Sequence, residues 1–577
     1  VDMDIPYNIY GGMQDNHSWV GPSATRHWLG ILSDDWRQIG FGDGMYQQPA
    51  PNSSILYNAT QNGNIVRVDR KTGNIQGIKP FPADPDEKYR FDWVTPLMIS
   101  KQSPKRIYLG GNRLFISNDG GLSWDRTKDL TKDINRDSLK IMDVLGVDTK
   151  ISRNDGTSSY GEIISMDESP LWYKILWVGT DDGKVHYTQN SGTSWIEVTK
   201  NIPKLPKGSW ITQIKASNKQ KGEALLVAND YRRFNFTPYA YRTTNYGKTW
   251  NRIVDENDVL SYALCIVEDP EEKNLLFLGT DDGLYISMDA GIKWEKWGHD
   301  FPTVSVKDLV IQERENDLVI GTFGRAAWVL DDITPLRVMA NNNEVLSSKI
   351  KLFKAPTAYL SAYQQPTGSR FGADAIFNGD NKEYGARIIF YFTKNETETN
   401  EELTEDKALL KTGAHKDSIY LKIYDKDRLI RNLKRKVPDS TGVYKWRWFM
   451  DEAGVGRPSR ESRAITNEPG GTTVKPGVYN LVISHQNQKS MNTIEVKNDP
   501  RIEISETSIN DAYEANKEIE KLIQTVNTAV NQLIDSKNIA ASFNNRLTEK
   551  DKTTYEHQIK LCEEITKKAD SLIDLYL

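Results

Sequence analysis

Three glycine-rich stretches set acids and an arginine where plain strand residues would otherwise serve. "GGMQDN" carries Gln14, Asp15 and Asn16, "GFGDGMYQ" carries Asp43, and "GTFGRAAW" carries Arg325. Glycine lets backbone come close to a ligand or to a neighbouring strand. Carboxylates beside a guanidinium can hold a ligand's hydroxyls and carboxylate, or they can satisfy one another in a buried network. A second pattern recurs as Ser/Thr-x-Asp/Asn-x-Gly-x-x-Trp. Its copies are Ser117, Asp119, Gly121 and Trp124; Thr188, Asn190, Gly192 and Trp195; Thr243, Asn245, Gly247 and Trp250; and Ser287, Asp289, Gly291 and Trp294. A short polar side chain two residues before a glycine is turn chemistry, and the tryptophan offers a large apolar face to a neighbour. Turn geometry explains every fixed position, so these acids are read as structural and their tryptophans as buried wedges.

No familiar catalytic constellation accompanies them. The seven histidines are scattered with no HExxH, and there is no Gly-x-Ser-x-Gly, phosphate loop or CxxC. A glycosidase needs two carboxylates flanking a sugar bond, and 79 acids single out no pair. Catalytic residues are therefore unassigned, and no metal or cofactor is expected.

The elements that must position these residues follow from length and pattern. A chain of 577 residues is too long for one core. Its net charge of -5 lacks the basic stripe that nucleic acid requires. No run of 18 apolar residues exists, so no transmembrane segment is expected. The two cysteines, Cys265 and Cys562, are read as buried free thiols and leave the compartment open. Short strands recur through residues 1–335, and "WVGTDDGKVHYT" and "FLGTDDGLYIS" nearly duplicate each other. A unit of about 45 residues with several strands is a propeller blade, which makes roughly seven blades, with insertions such as 151–162. The candidate site then falls at the propeller's central mouth, with Asp15, Asp43 and Arg325 near one end of its axis. Residues 336–502 read as an immunoglobulin-like β-sandwich, with a Gly-, Pro- and Ser-rich loop at 451–475. Residues 503–577 change to helical period and read as a hairpin of two helices joined around "SFNNRL", with Thr548 and Asp551 capping the second.

The Ser/Thr-x-Asp-x-Gly-x-x-Trp frame resembles the Asp-box, or BNR, repeat. With "NIYGGMQDNHSWVGPS", "GTFGRAAWVLDD" and "PGVYNLVISHQNQKSMNTIEVKNDPR", the chain resembles the C-terminal half of large secreted BNR-repeat proteins of Bacteroidota, sortilin-like or glycosyl-hydrolase-like. The resemblance implies an extracytoplasmic protein (secreted, periplasmic or cell-surface) that binds a protein, peptide or glycan partner without catalysis. A glycoside hydrolase is the alternative. It also implies an upstream propeller or partner chain, and the opening at Val1 is read as a fragment or processed form.

Overall fold

The computed structural model describes residues 1–132, 135–138, 140–141, 143–149, 160–341, 344–361, 363, 378–394, 418–461 and 468–577. The expected insertion at 151–162 lies mostly outside the described residues. The protein is mainly β, built largely of antiparallel sheets, with a helical pair at its C-terminal end. Two compact units divide the chain: residues 1–343 with 363–382, and residues 344–362 with 383–577.

In the first unit, seven antiparallel sheets follow one another along the chain among the described residues. They cover residues 8–40, 44–77, 97–126, 163–197, 210–252, 263–296 and 306–330. The first and last have three strands and the others four, each in simple up-and-down order. A small two-stranded pair, Lys140–Ile141 with Val144–Leu145, lies between sheets three and four. From sheet two to sheet seven, the opening strand of each packs on the opening strand of the one before. This packing explains the sequence pattern. The second strands of sheets four and six, Leu176–Thr180 and Leu276–Thr280, are buried at every residue, because neighbours cover both faces. Gly179 and Gly279 within them admit the next sheet. A Cβ on Gly179 would meet Ile211 Cγ2 at 2.3 Å, and one on Gly279 would meet Val306 Cγ1 at 2.7 Å.

The first and last sheets are joined by side chains. Tyr7 Oη donates to Asp317 Oδ2 at 2.9 Å, and Lys382 Nζ donates to the same oxygen at 2.7 Å. Gln312 Nε2 and Arg314 Nη2 donate to the carbonyls of Asp2 and Asp4 at 3.0 and 2.8 Å. Lys382 arrives on a segment that returns to this unit, where Asn381 accepts from the Thr25 N–H and Gly379 pairs with Ile31. Helix α1 (Thr334–Asn341) closes the unit, with Pro335 at its start, where a missing N–H costs nothing.

The second unit opens with the one-turn helix α2 (Glu344–Ser347). It holds a three-stranded and a five-stranded sheet around one core that includes Ile388, Phe390, Leu421, Ile423, Leu481 and Trp448. A tight hairpin forms at "YDKDRL", with Asp425 opposite Arg428. The loop expected at 451–475 is partly β: Asp451–Ala453 pairs with Gly470–Thr473, while 462–467 lies outside the described residues. Helices α3 (Glu506–Asp551) and α4 (Glu556–Tyr576) end the chain.

The expected turn at "SFNNRL" is a correction. α3 runs straight through it, because the apolar seam continues to Leu547 and no glycine or proline interrupts the run. Thr548 sits inside the helix and donates to the Asn544 carbonyl at 2.8 Å. Asp551 caps the turn that follows, accepting from the Thr553 and Thr554 N–H groups. Both cysteines are free, Cys265 buried and Cys562 half-buried. Among the described residues no helix is long and apolar enough to cross a membrane.

Candidate functional site

Up-and-down strand order sends the loops of each sheet to two ends. The boxes lie at one end, between third and fourth strands. The loops before each opening strand, and the turns between second and third strands, lie at the other.

At the box end all four copies build one local network. Ser117 Oγ accepts from the Gly121 N–H at 2.8 Å and donates to Asp119 Oδ1 at 2.7 Å, and Asp119 then accepts from the Leu122 and Ser123 N–H groups at 3.0 Å each. Ser287 and Asp289 repeat these bonds. Thr188 with Asn190 and Thr243 with Asn245 follow the same plan, an amide standing in for the acid. These bonds hold the Asp119 carboxyl far below its ordinary range, the Ser123 hydroxyl contributing most. Gly121, Gly192, Gly247 and Gly291 all have positive φ, as the turn requires. Each box also grips the preceding sheet. Trp124 Nε1 donates to the Ile78 carbonyl at 2.8 Å, and Trp294 Nε1 to the Ile253 carbonyl at 2.7 Å. Trp250 sets its ring edge-on to Trp177. Full burial, expected of all four wedges, holds for Trp250 and Trp294, while Trp124 and Trp195 are half-buried.

At the other end, residues from several sheets converge. Asp92 precedes sheet three, Glu162 precedes sheet four, and Asp181 sits in that sheet's middle turn. Their carboxylates lie within 4.8 Å of one another, all buried. Asp181 accepts the Glu162 N–H at 2.7 Å, and Tyr160 Oη donates to the Asp181 carbonyl at 3.0 Å. Burial, and then the charge of Glu162, push the Asp181 carboxyl well above the ordinary range, which favours a proton held within the Glu162–Asp181 pair. Three oxygens so placed are chemically able to hold a cation, but a retained proton and bonds to backbone N–H groups already account for much of their capacity.

Sheet five adds a cation. Its middle turn, Tyr231–Arg233, places the Arg232 guanidinium 3.5 Å from the Trp210 ring centroid and 4.5 Å from that of Tyr231. Tyr231 stacks on Tyr262 at 4.8 Å. Among the described residues Arg232 makes no hydrogen bond or ion pair. Burial pulls its pKa down, against the raising influence of Tyr231, Asp92, Tyr160 and Asp181. Lys307, from the opening strand of sheet seven, also lacks an ion pair among these residues, and burial lowers its pKa against the pull of Asp281. It stands 5.6 Å from the Phe323 ring. Exposed aromatic and apolar side chains edge the same end: Phe41, Phe234, Phe236, Leu260 and Phe323. Neighbouring Arg233 differs from Arg232, being fixed to Asp230 at 2.6 Å and to the Lys207 carbonyl at 2.8 Å.

Of the residues singled out in the sequence, Asp15 and Asp43 come together, the Asp15 N–H donating to Asp43 Oδ1 at 2.9 Å. Asn16 Nδ2 donates to the Gln14 carbonyl within the same turn, and Gln14 is exposed. Arg325 is exposed; its guanidinium donates to the Gly324 carbonyl, its N–H to Thr322 Oγ1, and its carbonyl accepts from Trp328 Nε1 at 2.9 Å. Sequence reasoning missed Asp92, Glu162, Asp181, Trp210, Tyr231, Arg232, Tyr262 and Lys307. One signal was available. The turn that reads "TDDG" in sheets four and six reads "DYRR" in sheet five, where two arginines replace an acid and a glycine.

No protein-family model matches the chain, and no curated protein matches it. Among solved structures, the chain is similar to the crystal structure of a GH74 enzyme from Niastella koreensis, with 11% identity and a TM-score of 0.24. The match covers 65% of this chain and 63% of that one, so the chain spans less than two thirds of that structure, and a likeness this weak bears on neither mechanism nor substrate.

Proposed function

We propose that the seven sheets are the blades of an Asp-box propeller of the BNR, sortilin-like kind, followed by an immunoglobulin-like sandwich. In this reading the protein is a non-enzymatic, extracytoplasmic binding module for a protein, peptide or glycan. Its ligand seats at the end opposite the boxes, on the Arg232, Trp210, Tyr231 and Tyr262 platform. The observation that carries this reading is Arg232. A guanidinium stacked flat on an aromatic ring is held in place by that ring, while its N–H edge stays available to a ligand. The glycoside hydrolase alternative needs two carboxylates separated by a sugar bond, typically by about 5 Å or more with substrate between them. Asp92, Glu162 and Asp181 are buried against one another and leave no room for a sugar.

The test is binding of a glycan array and a peptide library to the whole chain, repeated with Arg232→Ala and Tyr231→Ala. Ligands that are retained by the parent chain and lost by both variants, at unchanged melting temperature, support the reading. Hydrolysis of a bound glycan by the whole chain would replace it with the hydrolase.

A further inference from the structure

α3 and α4 pack antiparallel along one seam. Val530 and Ile534 of α3 meet Ile573 of α4, and Ala540, Ile559 and Ala569 are buried along the same line. Lys537 Nζ donates to Asp570 Oδ1 at 2.5 Å and fixes the register. A second apolar stripe lies beside this seam. At about 100° per residue, Phe543 and Ile539 on α3 lie roughly a quarter to under half a turn back from the buried positions. Ile565, Leu572 and Leu561 on α4 do the same. In antiparallel helices the same backward rotation carries side chains to the same side of the pair. These five side chains therefore share one side of the pair, Phe543, Ile565 and Leu572 beside the groove and Ile539 and Leu561 farther round, and each is 37% to 58% exposed.

The charge around the strip is not even. Arg546, Lys550 and Lys568 share its side of the pair, all exposed. Asp535, Glu549, Glu563 and Asp574 stand on the opposite side, with Lys560 and Lys567. A second copy brought face to face would set the three cations of one strip against those of the other, and like charges across an interface are costly. An apolar groove between two helices with a basic rim fits a helix with apolar anchors at i, i+3/i+4 and i+7 and acids along its flanks. We propose that this side of the α3–α4 pair docks an acidic amphipathic helix of a partner protein, completing a three-helix bundle.

The experiment measures binding of two synthetic amphipathic peptides to the full chain by fluorescence anisotropy. Both carry the same leucine spacing, one with glutamate flanks and one with lysine flanks. The glutamate peptide should bind at least about tenfold tighter, and added salt should narrow the gap. Phe543→Ser with Ile565→Ser should abolish binding of both. Arg546→Glu with Lys568→Glu changes only exposed positions, keeps the apolar strip and should reverse the preference. Circular dichroism of each variant reports whether the helices persist. Equal affinity for the two peptides, or none, overturns the proposal. So does binding to phosphatidylglycerol vesicles without peptide binding, which assigns the strip to a lipid surface. A doubled mass in light scattering that Phe543→Ser removes would assign it to self-association.

Discussion

The two ends of the seven-sheet unit are built from the same residue types and put them to opposite use. At the box end, Ser or Thr, Asp or Asn, Gly and Trp recur four times, and the box side chains bond within one turn or onto the sheet just before it. At the other end acids from different sheets meet, and their side chains reach across sheets, as Asp92, Glu162 and Asp181 do. Repetition marks what the architecture needs from every sheet. A turn that varies from sheet to sheet, as "DYRR" differs from "TDDG", is free to serve one place. The box end should therefore govern stability and the other end binding.

The sharpest way to break this contrast is Trp294→Ala. It empties a buried site and removes a bond to the preceding sheet, so denaturant unfolding should show a loss of about 3–5 kcal/mol. A loss confined to ligand binding would reverse the assignment of the two ends. Ser287→Ala is the milder version. It removes the acceptor of the Gly291 N–H and should cost about 1 kcal/mol in the same measurement.

Asp181→Asn separates the ends by pH. The native carboxyl titrates well above its unfolded value, so the unfolded state holds fewer protons between the two. Stability should then fall as pH rises from the ordinary aspartate range toward the raised value. The amide removes that slope, and a chemical-denaturation series from mildly acid to neutral pH should show a flatter profile for the variant. An unchanged profile would mean that Glu162 and Asp181 do not share a proton. The smallest stability effect is expected from Arg232→Ala. Losing the stack on Trp210 and relieving a buried charge offset each other, to less than about 1 kcal/mol. Its melting temperature should stay close to that of the parent.

The box turns could be read in the sequence because turn chemistry is local. Ser117 to Trp124 holds donor, acceptor and glycine within eight residues, and each acts on its own neighbourhood. The apolar strand runs and the helical period of the tail were legible for the same reason. The acid cluster was not. Asp92 and Asp181 are brought together only by the stacking of sheets three and four, and a single aspartate in a turn looks the same whether it faces water or another acid. The end of α3 was misplaced because Thr548 and Asp551 carry a cap-like spacing that the continuing seam at Leu547 overrides. Arg325 stood out by its glycine setting, yet its guanidinium bonds only the neighbouring Gly324 carbonyl among the described residues.

The bond between Tyr7 and Asp317 joins residues 310 positions apart, and Lys382 arrives on the same oxygen from further along still. Its consequence is a sequence of events in time. Each sheet can form from neighbouring segments as it leaves the ribosome, since hairpin contacts are close in the chain. Tyr7 cannot reach Asp317 until the chain between them has been made, and the Lys382 contact waits until residue 382 has emerged. Until then the sides of sheets one and seven that meet stay uncovered and could associate with another chain. The entropy of closing so long a loop grows only logarithmically and is modest. The wait, and the uncovered sides during it, make this final junction the step at which a newly made chain is most open to aggregation.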